Sequence, residues 1–288
     1  MVVSVVVITG CSSGFGLEAA IAFAERGDTV VATMRNLAKD TELRKRAADA
    51  GVEIDVEALD VRDDASVATA FANILARHGQ IDVLVNNAGV GFGGPIETMP
   101  MDEALAVMDT NFWGPFRCAR VVLPGMRERR AGAIVNVSSV SGLLPGQLYT
   151  AIYSSSKHAV NALSAALASE VAPFGIRVAS VCPGFFATEI GHNNDSVPDG
   201  VATSAYEADA TWWNSFMQGS IDAGADPRVV ADVIVAAAHD DAPTLIQPVG
   251  DDAAMYTDLW KSTGTYESWM EVAIPVVEAV AGPRPEAG

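Results

Sequence analysis

Val5-Val-Val-Ile-Thr-Gly-Cys-Ser-Ser-Gly-Phe-Gly16 is the stretch on which the fold turns. A β-branched apolar run ends in Thr9-Gly10, and three glycines spaced Gly-x3-Gly-x-Gly lead directly into an Ala-rich amphipathic segment. Glycines in such a turn tolerate positive φ and let backbone N–H groups approach an anion, while the helix that follows contributes its positive end. A strand before the turn and a helix after it make Gly10, Ser12, Ser13, Gly14, Phe15 and Gly16 a candidate pyrophosphate cradle.

Beyond that turn the same alternation continues. The patterning predicts strands at Val2–Ile8, Thr29–Thr33, Glu53–Ala58, Ile81–Val85, Ala133–Val137, Arg177–Val181 and Thr244–Gln247. It predicts helices near 15–26, 37–50, 64–78, 102–129, 153–172, 204–219 and 227–239. Apolar strands each followed by a helix imply an α/β fold, a doubly wound (Rossmann-type) parallel sheet of about seven strands with helices on both faces. No linker divides the chain, so residues 1–288 are expected to form one domain, with a frayed tail from about Gly282. In such sheets ligands bind at the carboxyl ends of the strands.

Composition narrows the function classes. Half of the 288 residues are hydrophobic, which excludes a disordered chain. No apolar run approaches the ~20 residues of a membrane span. The 36 acidic against 18 basic residues, net charge −18, disfavour nucleic acid and anionic lipid as partners. Cys11, Cys118 and Cys182 show neither metal-ligand nor disulfide spacing. A soluble, cytoplasmic protein with no metal site is the expectation.

The glycine spacing, Asn86-Asn87-Ala88-Gly89 after the fourth strand, and Tyr153-x3-Lys157 together resemble the short-chain dehydrogenase/reductase family in its compact single-domain branch. The likeness runs from Val5 to about Ala253, with its motifs in family order. Tyr153-Ser-Ser-Ser-Lys157-His158-Ala159-Val160 and Ala172-Pro-Phe-Gly-Ile-Arg177-Val178 are similar to the hydroxysteroid and retinol dehydrogenase-like subgroup. The resemblance implies a nicotinamide cofactor. Its adenosine end would be flanked by Asp60-Val61 and by Asn87, Ala88 and Gly89, its nicotinamide end by Pro183, Gly184 and Thr188, with Tyr153 and Lys157 on the ribose. After the second strand stands Thr33-Met34-Arg35-Asn36, with no carboxylate to repel a 2′-phosphate. Arg35 and Ser12 suit that phosphate, so NADP(H) is preferred, with NAD(H) as the alternative.

By the same resemblance Asn111, Ser139, Tyr153 and Lys157 form the catalytic set. The chemistry wants these residue types: a ketone accepting hydride also needs a proton, and free tyrosine, with a pKa of about 10, gives one up reluctantly. A lysine charge ~4 Å away is worth about 4 kcal/mol at an effective dielectric near 20, enough to bring the phenol close to neutral pH. Tyr153 is then the general acid/base, Lys157 its tuner, Ser139 the substrate-oxygen donor and Asn111 the anchor of a proton relay. Ser138 and Ser141 rival Ser139, because the intervals to Tyr153 do not match the family's usual one.

The segment Phe185–Asp226, with Phe185, Phe186, Trp212, Trp213, Phe216 and Met217, is expected to cover the substrate. The rings there either line an apolar pocket or merely pack the cover against the body. Phe92, Trp113, Leu143 and Leu144 share that ambiguity, and His192 reads as a solvated loop residue. Small residues Ala162, Ala165, Ala166 and Ala168 on the helix 153–172 suit a homodimer or homotetramer. The expected activity is interconversion of a hydrophobic secondary alcohol and ketone. The alternatives are a catalytically silent NADP-binding regulator of the same fold and, less favoured, a nucleotide-sugar enzyme.

Overall fold

The protein is described by a computed structural model covering residues 3–91, 93–188 and 205–286. Its elements run β1 (Val5–Thr9), α1 (Gly14–Glu25), β2 (Thr29–Met34), α2 (Thr41–Ala50), β3 (Asp55–Ala58), α3 (Asp64–His78) and β4 (Val83–Asn86). They continue with α4 (Met101–Met108), α5 (Gly114–Arg129), β5 (Gly132–Val137), α6 (Ala151–Val171) and β6 (Ile176–Pro183). The chain then forms α7 (Glu207–Asp222), α8 (Arg228–His239), β7 (Ile246–Val249), α9 (Asp251–Thr263) and α10 (Tyr266–Ala281).

All strand pairs are parallel, and the sheet order is β3-β2-β1-β4-β5-β6-β7. Strand alternation divides the core in two. Val6 and Ile8 face a layer built from α1 and α8, whereas Val7, Val31, Leu84 and Ile134 face α3, α5 and α6. Both faces of the central strands are buried, which is why these strands read as continuous apolar runs. The order reverses between β1 and β4, so the turns after those two strands flank the crevice where such sheets bind ligands.

Two elements differ from the pattern read in the sequence. The segment 102–129 is interrupted by a π-helical turn, Asp109–Trp113, between α4 and α5. Pro115 at the start of α5 supplies no N–H to the turn before it, so the regular ladder cannot run through. The wider turn carries Asn111 into the interior, where it is 1% exposed. Beyond residue 250 the periodicity assigned no helix, yet α9 and α10 are present. Trp269, Ala273 and Val277 recur at helical spacing, but Pro275 within α10 masks the signal.

Polar side chains also cross the sheet interior. Asn86 Nδ2 donates to Asn136 Oδ1 (2.8 Å), Asn136 Nδ2 to Ser164 Oγ (2.8 Å), and Ser164 Oγ to the Val160 carbonyl (2.7 Å). This buried chain ties β4 to β5 and β5 to α6, so it fixes where α6 lies on the sheet. Asn136→Ala leaves the Asn86 amide without its acceptor and Ser164 Oγ without its donor. It is expected to lower the unfolding free energy by about 2–3 kcal/mol in chemical denaturation. A loss under about 0.5 kcal/mol would mean that the chain of bonds contributes nothing to placing α6.

Candidate active site

The glycine turn after β1 is held against the turn after β4. Asn87 Nδ2 donates to the carbonyls of Thr9 (2.9 Å) and Gly10 (3.0 Å), and the N–H groups of Asn87 and Ala88 both reach Thr9 Oγ1. Gly10 has φ +75°, and a Cβ there would lie 2.8 Å from Ala88 Cα. A Cβ on Gly16 would collide with the Asn87 amide and the Gly10 carbonyl. Only glycine permits this approach. Ser13 precedes α1 in extended conformation, and its side chain makes no capping bond. The first N–H groups of α1 are therefore open to an outside acceptor, at the positive end of the helix dipole.

The remaining cofactor candidates border the same edge. Thr188 lies beside Gly14, 3.7 Å from where a Cβ would stand, and Phe15 meets Phe186 edge-on with centroids 5.6 Å apart. Pro183 ends β6, and Gly184 N–H donates to the Val249 carbonyl (2.9 Å). Asp252, which the sequence reading missed, accepts from Phe185 N–H at 2.6 Å and packs so closely on Gly184 that a larger residue there would collide with it. Arg35 is the first residue after β2, is exposed, and has no ion pair among the described residues. Burial pushes the Asp60 carboxyl up, but bonds from Arg62 and the nearby charge of Arg35 outweigh it and hold Asp60 below its ordinary range. Val61 is buried and packs where Gly114 leaves room.

Four side chains from three parts of the chain meet next to this edge. Tyr153 lies near the start of α6, and Lys157 one turn further is 4% exposed. Lys157 Nζ donates to the Val137 carbonyl at the end of β5 (3.0 Å) and sits 5.6 Å from the Tyr153 ring centroid. Ser139 lies close enough to Tyr153 to act on its phenol, and its Oγ accepts from Ser141 N–H at 3.1 Å. Asn111 bonds both ways with the Val90 backbone (2.8 and 3.0 Å) and donates to Ser156 Oγ (3.0 Å). A Cβ on Gly89 would stand 3.4 Å from Asn111 Oδ1 and 3.6 Å from Lys157 Nζ. The turn after β4 thus joins the two groups of residues.

The geometry separates candidates that spacing left open. Ser138 Oγ donates to the Lys157 carbonyl (3.1 Å), and Ser141 Oγ to Gln147 Oε1 (3.0 Å). Of the three serines, Ser139 is the one that acts on the Tyr153 phenol. Tyr149 turns elsewhere, to Asp209.

One expectation fails. Burial pushes the Tyr153 phenol above its ordinary value, opposed by Ser139, and Lys157 does not pull it down. The ammonium is turned toward the Val137 carbonyl, and burial lowers Lys157 itself to about 8. Here desolvation outweighs the pairwise attraction on which the sequence argument relied.

On the substrate side, Trp212, Trp213 and Phe216 of α7 are buried against Leu148, Phe185 and Val277. They pack α7 onto α10, while Trp213 and Phe216 also line an apolar crevice shared with Leu148, Trp269, Met270 and Ile274. Of the two readings of these rings, packing of the cover against the body is the one seen directly. Leu144 is buried with Val140, Ala253 and Trp269, and Leu143 is half-buried. Trp113 is exposed and stacks edge-on with Phe112 and Phe116. Phe92 and His192 lie outside the described residues. Among the described residues no helix is long and apolar enough to cross a membrane, and no cluster of three His, Cys, Asp or Glu could hold a metal.

Comparison with known proteins agrees with this fold. Residues 4–198 match the family described as short chain dehydrogenase. An uncharacterised oxidoreductase of Bacillus subtilis (strain 168), YusZ, is 37% identical over 93% of this chain and 96% of its own. Human retinol dehydrogenase 8 is 44% identical over 64% of this chain and 59% of its own. A short-chain dehydrogenase structure from Streptomyces avermitilis has a TM-score of 0.75 at 32% identity, covering 94% of this chain and 97% of that one. A single-substitution variant of the actinorhodin polyketide ketoreductase, solved with NADPH, has a TM-score of 0.76 at 32% identity, covering 88% of this chain and 98% of that one. Family match, full-length likeness and site together make this chain a member of the short-chain dehydrogenase/reductase family of oxidoreductases.

Proposed function

We propose that the protein is an NADP(H)-dependent oxidoreductase that interconverts a hydrophobic secondary alcohol and its ketone, with Tyr153 as general acid/base. The observation that carries this reading is the gathering of Tyr153, a buried Lys157 5.6 Å from its ring, Ser139 and Asn111 beside the turn that packs on the glycines. The cradle fits the cofactor: the uncapped start of α1 and the glycines packed on Asn87 and Ala88 suit a pyrophosphate. Arg35 and Ser12 would take the 2′-phosphate, and Asp60, Val61 and Asn87–Gly89 the adenosine end. Pro183, Gly184 and Thr188 would take the nicotinamide end, with Tyr153 and Lys157 on its ribose. When bound, the nicotinamide supplies the hydride in reduction and accepts it in oxidation.

The chain's own residues handle the proton. Tyr153, its pKa raised by burial, holds its proton at Oη through neutral pH and is poised to give it to the alkoxide oxygen as hydride arrives. Ser139 Oγ would add a second hydroxyl donor to the same oxygen. Lys157 keeps its positive charge below about pH 8 and would hold the cofactor ribose with it. Asn111 holds the Val90 backbone against α6 through Ser156.

The aromatic rings gathered on α7, Trp212, Trp213 and Phe216, with Phe185 beside them, suit an apolar substrate. Support also comes from relatives named for retinol and for 3-ketodihydrosphingosine, from a structural neighbour named as a polyketide ketoreductase and solved with NADPH, and from another solved with NADP. The three cysteines, all free and buried, fit a reducing cytoplasm. Exposed Ala162, Ala165 and Ala166 on α6 suit close packing of copies. In this reading the sheet, α7 and the C-terminal helices act as one catalytic unit.

Tyr153→Phe should abolish ketone-dependent NADPH oxidation while leaving NADPH affinity, read by fluorescence titration, unchanged; retained turnover would remove Tyr153 from its role. Arg35→Ala should raise the Kd of NADPH by about tenfold, roughly one charge-assisted bond, and leave that of NADH unaltered. Equal losses for both would show that Arg35 does not read the 2′-phosphate. The kcat/KM of reduction should be level below neutral pH and fall about tenfold per unit once pH passes Lys157's value near 8. A profile level to pH 10 would remove the Lys157 charge from the mechanism.

A further inference from the structure

The C-terminal segment, read from sequence as a frayed tail, turns back on α7. Gly282, at φ +81°, reverses the chain after α10, and its carbonyl accepts from Trp212 Nε1 at 2.7 Å. Two residues on, the Arg284 guanidinium grips Asp209 with both arms: Nε to Oδ1 at 2.7 Å and Nη2 to Oδ2 at 2.6 Å. It also lies over the Trp212 ring, 5.8 Å from the centroid, while the Arg284 N–H donates to Glu278 Oε1 (3.2 Å).

Asp209 Oδ2 accepts a second bond, from Tyr149 Oη at 2.5 Å. Tyr149 stands in the loop between Ser139 and α6 and adopts φ +55°, a left-handed conformation that costs a non-glycine residue about 1–2 kcal/mol. Its carbonyl accepts from Gly94 N–H at 2.7 Å, in the segment that follows the Asn87–Gly89 turn. Four residues later comes Tyr153. A strained residue persists only where its surroundings over-determine it. The bonds at its two ends, to Gly94 and to Asp209, do so here.

We propose that Arg284 and Asp209 are positioning residues for the substrate side of the site. Arg284 orients the Asp209 carboxylate, which holds α7 to Tyr149 and so sets the loop that leads into Tyr153. The proposal rests on the oxidoreductase reading for its effect on catalysis, and on the bonds alone for its effect on structure. An exposed ion pair by itself would contribute little. The two-armed geometry, the shared tyrosine hydroxyl and the stacked Trp212 distinguish this one from a lone surface pair. Arg284 acts through Asp209 and touches no reacting atom.

The test uses the full chain as wild type, Arg284→Ala, Asp209→Asn, Tyr149→Phe and the Arg284→Ala/Tyr149→Phe double variant. Hydrogen exchange should quicken by about tenfold at the start of α7 and around residues 147–150 in each single variant, and stay unaltered in the central strands, as expected of local opening. KM for an apolar ketone that the wild type reduces should rise about tenfold, the equivalent of one charge-assisted bond. The kcat and the KM of NADPH should stay within about twofold, well under half a decade. The double variant should be no worse than the more affected single, because all three side chains belong to one connection.

Unaltered exchange in the Arg284→Ala and Asp209→Asn proteins would overturn the proposal, as would a changed exchange with an unmoved KM. Fully additive losses would also overturn it. A wild-type protein that binds NADPH but turns over no ketone would instead sink the oxidoreductase reading, and exchange would still report whether Arg284 holds α7 to Tyr149.

Discussion

The approach of the β1 turn to the β4 turn holds the site together. Asn87 binds the carbonyls at the end of β1, Thr9 Oγ1 binds the amides that open the β4 turn, and Gly10 and Gly16 leave the space in which this happens. Because the sheet order reverses between these two strands, the same contact closes one wall of the crevice and aims the start of α1 into it. A residue with a Cβ at position 16 would part the turns and misdirect the helix N-terminus. The glycine spacing is a packing requirement first, and the open backbone amides are its consequence.

A second constraint is burial. Lys157 is 4% exposed and satisfies its ammonium on a main-chain carbonyl, which is how a buried charge is kept affordable. Its own pKa falls to about 8 as a result, while Tyr153 rises. Pairwise attraction between the two argued for an acidic tyrosine; desolvation of both groups decides otherwise. The pair is poised with the proton on the phenol, the form that reduction of a ketone consumes.

The outer half of the site is assembled from distant sequence. The rings of α7 are buried by α10, the loop before Tyr153 is tied to α7 through Asp209, and Arg284 reaches the same carboxylate from beyond α10. None of these contacts is local. The part of the protein proposed to meet substrate therefore depends on its last turns as much as on its glycine-rich beginning.

The parallel sheet is legible in the sequence, because apolar strands alternating with amphipathic helices have few other ways to bury both faces. So is the placing of the glycine turn, Arg35, Asn87, Tyr153 and Lys157 on the edge where they are found, since each follows a strand or opens a helix. Choosing Ser139 over Ser138 and Ser141 required the three-dimensional path of the loop, as spacing counts residues and not directions. The π turn that buries Asn111, the helix α9, the helix α10 hidden behind Pro275 and the pKa order of Tyr153 and Lys157 likewise came from the folded arrangement. Each depends on what surrounds a residue once the chain has closed, and a local pattern carries no record of that.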